Sequence, residues 1–96
     1  MIPQKVGSSK RNIAGAGTVV VKNEGGVLRR IVVNKAVASG VITVYDNTAA
    51  SGTLIATITN PLTLLHSMVV LEYNCSFNTG LTVVTSAADD ITVVYD

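Results

Sequence analysis

Short runs of alternating apolar and polar residues divide this chain into segments of strand length. Ile42 and Val44, for example, alternate with Thr43 and Tyr45. Such a period of two places each set of side chains on its own face of a strand. The runs are also rich in Val and Thr, whose branched side chains fit a pleated sheet and lose rotamer freedom in a helix. The predicted strands are 18–22, 27–34, 41–46, 53–59, 68–73 (extending toward 77), 81–85 and 91–95.

Turn-forming residues separate these runs, notably at 23–26, 47–52, 78–80 and 86–90. Seven to eight short strands at this spacing predict an all-β fold, an antiparallel β-sandwich that is jelly-roll-like. No segment keeps a helical period for three turns, so we expect almost no helix. The inward-facing residues of the predicted strands form the expected core: Ile31, Val33, Ile42, Val44, Leu54, Ala56, Ile58, Val69, Leu71, Leu81, Val83, Ile91 and Val93.

The first residues of the chain differ from the rest. They include Pro3, Gly7 and three basic residues, with few apolar groups and no period. We therefore predict that residues 1–16 form an extended N-terminal arm and that residues 17–96 form the sandwich. A chain of 96 residues has room for one such domain. Arms of this kind are either frayed or laid across a neighbouring subunit.

The composition indicates a surface that is short of charge. Hydrophobic residues make up 48% of the chain and charged residues only 14%, where about 25% charged is typical of a globular domain. The second face of most predicted strands carries Thr and aliphatic residues instead of Lys or Glu. Leftover apolar surface usually marks an interface, so we expect the protein to self-associate or to dock on a larger assembly. One alternative is a monomer that is prone to aggregation. The other is that the Thr side chains of this second face are simply exposed to solvent.

The few charges are unevenly distributed. All seven basic residues lie in the first 35 positions with one acidic residue, a net charge of +6, and the remainder holds five acidic residues and no base, a net charge of −5. The basic part and the acidic part of the chain can pair their charges within one subunit or between subunits, and both possibilities stay open. The basic residues that we expect to contact a partner are Lys5, Lys10, Arg11, Arg29 and Arg30. Direct nucleic-acid binding is disfavoured, because the basic residues are scattered along the sequence and the chain has only four aromatic residues on which nucleobases could stack.

Candidate chemistry is sparse. His66 is the only histidine and Cys75 the only cysteine, which is too few ligands for a zinc site. Asp89 and Asp90 could join Asp46 or Asp96 around Ca²⁺, but the loop lacks alternating acidic ligands. The alternative is that the pair forms a polar turn before the last strand. We therefore expect no enzyme activity, no cofactor and no metal. With no leader-like or membrane-spanning run in the sequence, no membrane partner is expected either.

Three stretches, GGVLRRIVVNKAVAS, GVITVYDNTAASGTLIATI and LEYNCSFNTGLTVVTSAADDITVVYD, resemble small proteins encoded by tailed bacteriophages. The resemblance covers residues 17–96, and the YDNTAASGT and FNTGLTVVT segments are its most specific parts. It implies an all-β structural virion protein of the capsid decoration (cement) type. It carries over no functional residue, because no motif of the group marks a site.

From this resemblance and the low charge we expect a decoration protein on the capsid surface of the virion, assembled in the host cytoplasm. It would form a dimer or trimer and bind the major capsid protein or another virion protein. The alternatives are a tail, head–tail-joining or fibre subunit, and a surface module that binds a receptor or glycan through Tyr45 or Tyr73.

Overall fold

The computed structural model describes residues 7–61 and 69–96, and these residues contain strands and no helix. Eight strands in two antiparallel sheets confirm the predicted all-β sandwich. In chain order they are β1 (Ser9–Ala14), β2 (Gly17–Lys22), β3 (Gly26–Lys35), β4 (Val41–Asp46), β5 (Thr53–Thr59), β6 (Val69–Phe77), β7 (Leu81–Thr85) and β8 (Asp90–Tyr95).

The strand order reflects a chain folded back on itself as one long ribbon. The first sheet has the order β1-β8-β3-β6 and the second the order β2-β7-β4-β5. Every strand pairs with its counterpart from the other end of the chain, so that β4 pairs with β5, β3 with β6, β2 with β7 and β1 with β8. The β3–β8 and β4–β7 pairs then close each sheet.

The turn between β1 and β2 determines which edges of the sandwich lie together. Only Gly15 and Ala16 separate the two strands, a connection of about 10 Å that matches the distance between packed sheets. Gly15 has a φ of 117° and Gly17 a φ of 147°, conformations that favour glycine over any residue with a Cβ. The β1 and β2 edges therefore face each other on one side of the sandwich, and the β5 and β6 edges lie on the other.

Side chains from both sheets fill the interior. The buried hydrophobic residues are Ile13, Leu28, Ile31, Val33, Ile42, Val44, Phe77, Leu81, Val83, Ile91 and Val93. Eight of them belong to the predicted core. Ala56, Ile58 and Leu71, also predicted, are half-buried and pack against this cluster. Leu54 and Val69 were predicted inside and are wrong, because they are 54% and 45% exposed.

A bulge explains why the alternation fails at Leu54, whereas Val69 keeps the inward register opposite Val33 and is exposed at the first position of β6. Where β4 pairs with β5, Val44 lies opposite Ala56 and the next residue, Tyr45, lies opposite Leu54. Ile55 of β5 is therefore an extra residue in the ladder. One extra residue moves every side chain beyond it to the opposite face. Ile55 therefore packs against the core and Leu54 points outward. A second bulge, at Arg29, lets Leu28 point inward together with Ile31.

The segment assigned to the N-terminal arm contains a strand of the sandwich itself. Its residues 9–14 form β1, which pairs with β8 along its whole length. Ile13 anchors β1, because its side chain is buried in the core opposite Ile91. From residue 9 onward the predicted arm therefore forms the end strand of its own subunit's first sheet. Residues 1–6 are outside the described part of the chain.

Candidate functional site

The basic residues expected to contact a partner fall into two groups. Arg29 and Arg30 are engaged inside the subunit, with Arg29 Nε 2.7 Å from Asp96 Oδ2 and Arg30 Nε 2.9 Å from Glu72 Oε1. Lys10 and Arg11 lie exposed on β1 and form no ion pair with any residue in 7–61 or 69–96. Lys5 lies outside the described residues.

The aspartates considered for Ca²⁺ do not come together. Asp46 accepts hydrogen bonds from the backbone amides of Asn78 and Thr79, while Asp96 pairs with Arg29. Asp90 accepts from the side-chain amides of Asn12 and Asn34, at 2.7 and 3.1 Å. No group of three metal-ligating side chains occurs among the residues that the structure describes.

Asp89 occupies a different position, at a junction of loops. Its side chain is fully buried, and Oδ1 accepts from the Val37 amide at 2.6 Å and from Asn60 Nδ2 at 3.1 Å. Asn60 Nδ2 also donates to the Val37 carbonyl, and the Gly15 amide donates to the Asp89 carbonyl. Asp89 Oδ2 has no hydrogen-bond partner within residues 7–61 and 69–96. This Asp89 junction joins the β1–β2, β3–β4 and β7–β8 connections to the end of β5.

Most of the aromatic side chains pack in or against the hydrophobic core. Phe77 is buried, and Tyr73 and Tyr95 pack against the core. Burial raises the pKa of the Tyr73 phenol. Cys75 is a free, half-buried thiol that also packs against the core. Only Tyr45 lies on an outer face, and His66 is outside the described residues.

The outer faces of the two sheets differ in charge. On the first sheet, neighbouring strands present Lys10, Arg30 and Glu72 in one row, with Asp90 further along. On the second sheet, the residues that alternate with the buried ones carry no charge. We call this surface the uncharged face; its members are Thr18, Val20, Val41, Thr43, Tyr45, Leu54, Thr57, Thr59, Thr82 and Val84.

One row of the uncharged face is particularly apolar. Val20, Thr82, Tyr45 and Leu54 lie side by side across β2, β7, β4 and β5. Val20 is 43% exposed and Leu54 54%, whereas Thr82 is buried and its hydroxyl donates to the Asn47 carbonyl. The Thr-rich second faces of the strands signalled this surface in the sequence, but the role of Leu54 in it could not be foreseen because alternation placed that residue inside.

Acid is expected to weaken the fold through two surface carboxylates. Hydrogen bonds from the amides of Asn78 and Thr79 lower the pKa of Asp46 from its ordinary 3.8, and the side chains of Asn12 and Asn34 lower the pKa of Asp90. A lowered pKa in the folded state adds stability above the ordinary pKa, and that stability is lost as the pH falls through the folded value. The free energy of unfolding should therefore decline below about pH 4.

Urea unfolding at pH 7, 5, 4 and 3 measures this effect. The Asp46→Asn variant should show a shallower decline than the wild type, because one of the titrating groups is gone. Glu24→Gln, an exposed residue in the β2–β3 turn, is the control and should follow the wild-type curve. Parallel curves for Asp46→Asn and the wild type would contradict this assignment.

Among the described residues, no helix is long and apolar enough to cross a bilayer.

Comparisons of the sequence with protein-family models and with curated proteins, and of the fold with solved structures, find no significant match.

Proposed function

We propose that this chain is a structural virion protein of a tailed bacteriophage, a capsid decoration protein that self-associates and stabilises the head by binding neighbouring capsid subunits. The observation that carries the proposal is the uncharged face. A solvated sheet face normally holds Lys or Glu, and the other sheet of this same sandwich does so with Lys10, Arg30 and Glu72. The second sheet instead presents Thr, Val, Tyr and Leu, which are suited to burial against protein.

Self-association through this face is electrostatically permitted. Two copies that pack through a common patch bring the same side chains together, and here they would bring no like charges into contact. The charged residues at the strand ends are Lys22 and Asp46, and the Asp46 carboxylate is already engaged by the amides of residues 78–80. Apolar burial at about 25 cal/mol per Å² would then favour the docked state.

The strand order gives further support. Pairing of each strand with its counterpart from the other end of the chain supports the jelly-roll-like topology expected from the sequence. Jelly rolls occur in viral capsid proteins and in lectins. Of these two, the virion role agrees with the phage resemblance. The lectin alternative has less support, because Tyr45 is the only aromatic residue on an outer face among the described residues.

The size of the uncharged face limits what it can do alone. Four strands of about six residues span about 19 by 20 Å, roughly half of the ~800 Å² per partner that a stable interface buries. A pair of free subunits held by this face would be weak. A subunit on a capsid would also contact the shell and act together with many other copies, which raises its effective affinity.

Locating and counting the protein in particles tests the proposal. Quantitative mass spectrometry of purified virions of the phage that encodes it should give hundreds of copies per particle, and imaging of virions with and without the protein should show the difference on the head. Six or twelve copies at the tail would replace this proposal with the tail or head–tail-joining role. Absence of the protein from particles would refute a virion role altogether.

A further inference from the structure

The edge of the first sheet carries unneutralised positive charge. β1 is an end strand that pairs with β8 alone among the described strands, so its other side is an open edge. Lys10 and Arg11 are neighbours on this strand and both are exposed. Because successive side chains of a strand point to opposite faces, Lys10 lies above the sheet and Arg11 below it. Two cations therefore flank the open edge.

The protein's own acids are engaged elsewhere. Glu72 and Asp96 pair with Arg30 and Arg29, and Asp90 accepts from two asparagine side chains. Asp46 is held by three backbone amides of residues 78–80, while Asp89 is fully buried. Of the six acidic residues in the chain, only Glu24 has no such contact among the described residues.

This charge distribution disfavours a second copy as the occupant of the edge. Pairing of two β1 strands would place four cations, Lys10 and Arg11 of each copy, on two neighbouring strands with no acidic residue on either strand to offset them. A second copy would also have no free acidic strand to offer, because its acids are engaged in the same way. The complementary charge has to come from a different molecule.

We propose that the β1 edge binds an acidic, extended segment of another protein by strand addition. Open backbone groups of the edge would hydrogen-bond the added strand, and side chains at alternate positions would set its specificity. Two adjacent carboxylates on that strand would point to opposite faces and meet Lys10 on one side and Arg11 on the other. This deepens the proposed function, on which it rests only for the partner's location in the virion. It also supplies the second contact that the small uncharged face requires.

A nucleic acid fits this edge less well. Single strands are held by a basic groove together with aromatic side chains on which bases stack. β1 offers two cations and no aromatic residue, and its neighbour β8 presents Thr92 and Val94 on the outer face. A peptide strand uses the open backbone as well as the charges, which a phosphate chain cannot do in register.

Titrations followed by backbone amide NMR signals test the assignment without any particle. The first probe is a capped hexapeptide with two adjacent glutamates between valine and threonine residues; the second has two lysines in their place. The glutamate peptide should shift the amides of residues 10–14 to saturation, and the lysine peptide should not. A Lys10→Gln/Arg11→Gln variant should bind the glutamate peptide about tenfold more weakly, since two edge ion pairs are lost.

The matched control is Lys22→Gln/Lys35→Gln, which removes the same charge from other strands and should keep wild-type affinity. Equal losses in the two variants, or shifts confined to other strands, would overturn the assignment of the edge. A single-stranded oligothymidylate that binds residues 10–14 more tightly than the glutamate peptide would overturn the choice of partner.

Binding to heads that lack the protein then separates this inference from the proposed function. A Lys10→Glu/Arg11→Glu variant should occupy such heads at least about tenfold more weakly than the wild type. Equal occupancy would refute the β1 contact and leave the decoration role intact. If the wild type itself does not bind heads, the decoration role fails, and the peptide titration still decides whether the edge binds acidic strands.

Discussion

Replacing Leu54 by lysine should weaken docking on phage heads by at least about thirtyfold. Leu54 is 54% exposed on the edge strand of the uncharged face, so the lysine ammonium is solvated in the free subunit and the fold is unaffected. In the docked state the ammonium would have to enter an interface that offers no charged partner. Leaving a charge unpaired in a protein interface costs about 2–5 kcal/mol, which corresponds to this loss.

The chain provides a closely matched control for this variant. Val70 is 58% exposed on β6, the edge strand of the first sheet, and it lies on the outer face that already carries charge. Val70→Lys therefore adds the same charge at the same exposure on the opposite face of the sandwich. Both variants should melt like the wild type. Counting bound copies on heads that lack the protein measures docking, and equal binding of the two variants would exclude the uncharged face as the docking surface.

Replacing Asp89 by alanine should reduce the free energy of unfolding by about 2–4 kcal/mol. The Asp89 carboxylate is the acceptor for the Val37 amide and for Asn60 Nδ2, and its removal leaves both donors without that partner in a buried site. An unsatisfied buried donor costs about 1–3 kcal/mol. A domain of this length has a total stability of about 5–14 kcal/mol, so the loss is a large fraction of it.

Asp89→Asn separates the hydrogen bonds from the charge at this position. Asparagine keeps an acceptor oxygen of nearly the same shape, so it should retain most of the stability that alanine loses. Chemical denaturation of the three proteins at pH 7 gives the comparison. A loss below about 1 kcal/mol in Asp89→Ala would mean that the loops at this end are held by their backbone hydrogen bonds and not by the Asp89 junction.

The strands themselves could be predicted because their signal is local. Ile42 and Val44 alternate with polar neighbours over a run too short for a helix, and the structure buries both. The same pattern failed at Leu54, since a bulge depends on the partner strand and leaves no mark in the alternation. Ile13 was missed for a related reason: one apolar residue among polar ones has no period, and it becomes a core residue only when β8 lies beside it.

For the candidate sites too, the residue types could be predicted from the sequence, but their partners and positions could not. A face rich in Thr and Val could be foreseen from the sequence, but which sheet it belonged to could not. The basic residues could be named, but Arg29 and Arg30 are neutralised by Asp96 and Glu72, which lie 67 and 42 positions further along the chain. Nothing near either arginine in the sequence indicates such a partner.

What the amino-acid sequence determined by itself was therefore an all-β chain with too few charges to cover its surface, because strand period and composition are properties of neighbouring residues. The tertiary structure alone decided that Lys10 and Arg11 lie on an open sheet edge, with no ion pair among the described residues, and that the uncharged residues share one face. Those two facts depend on which strands become neighbours, and the ribbon-like pairing joins residues from opposite ends of the chain.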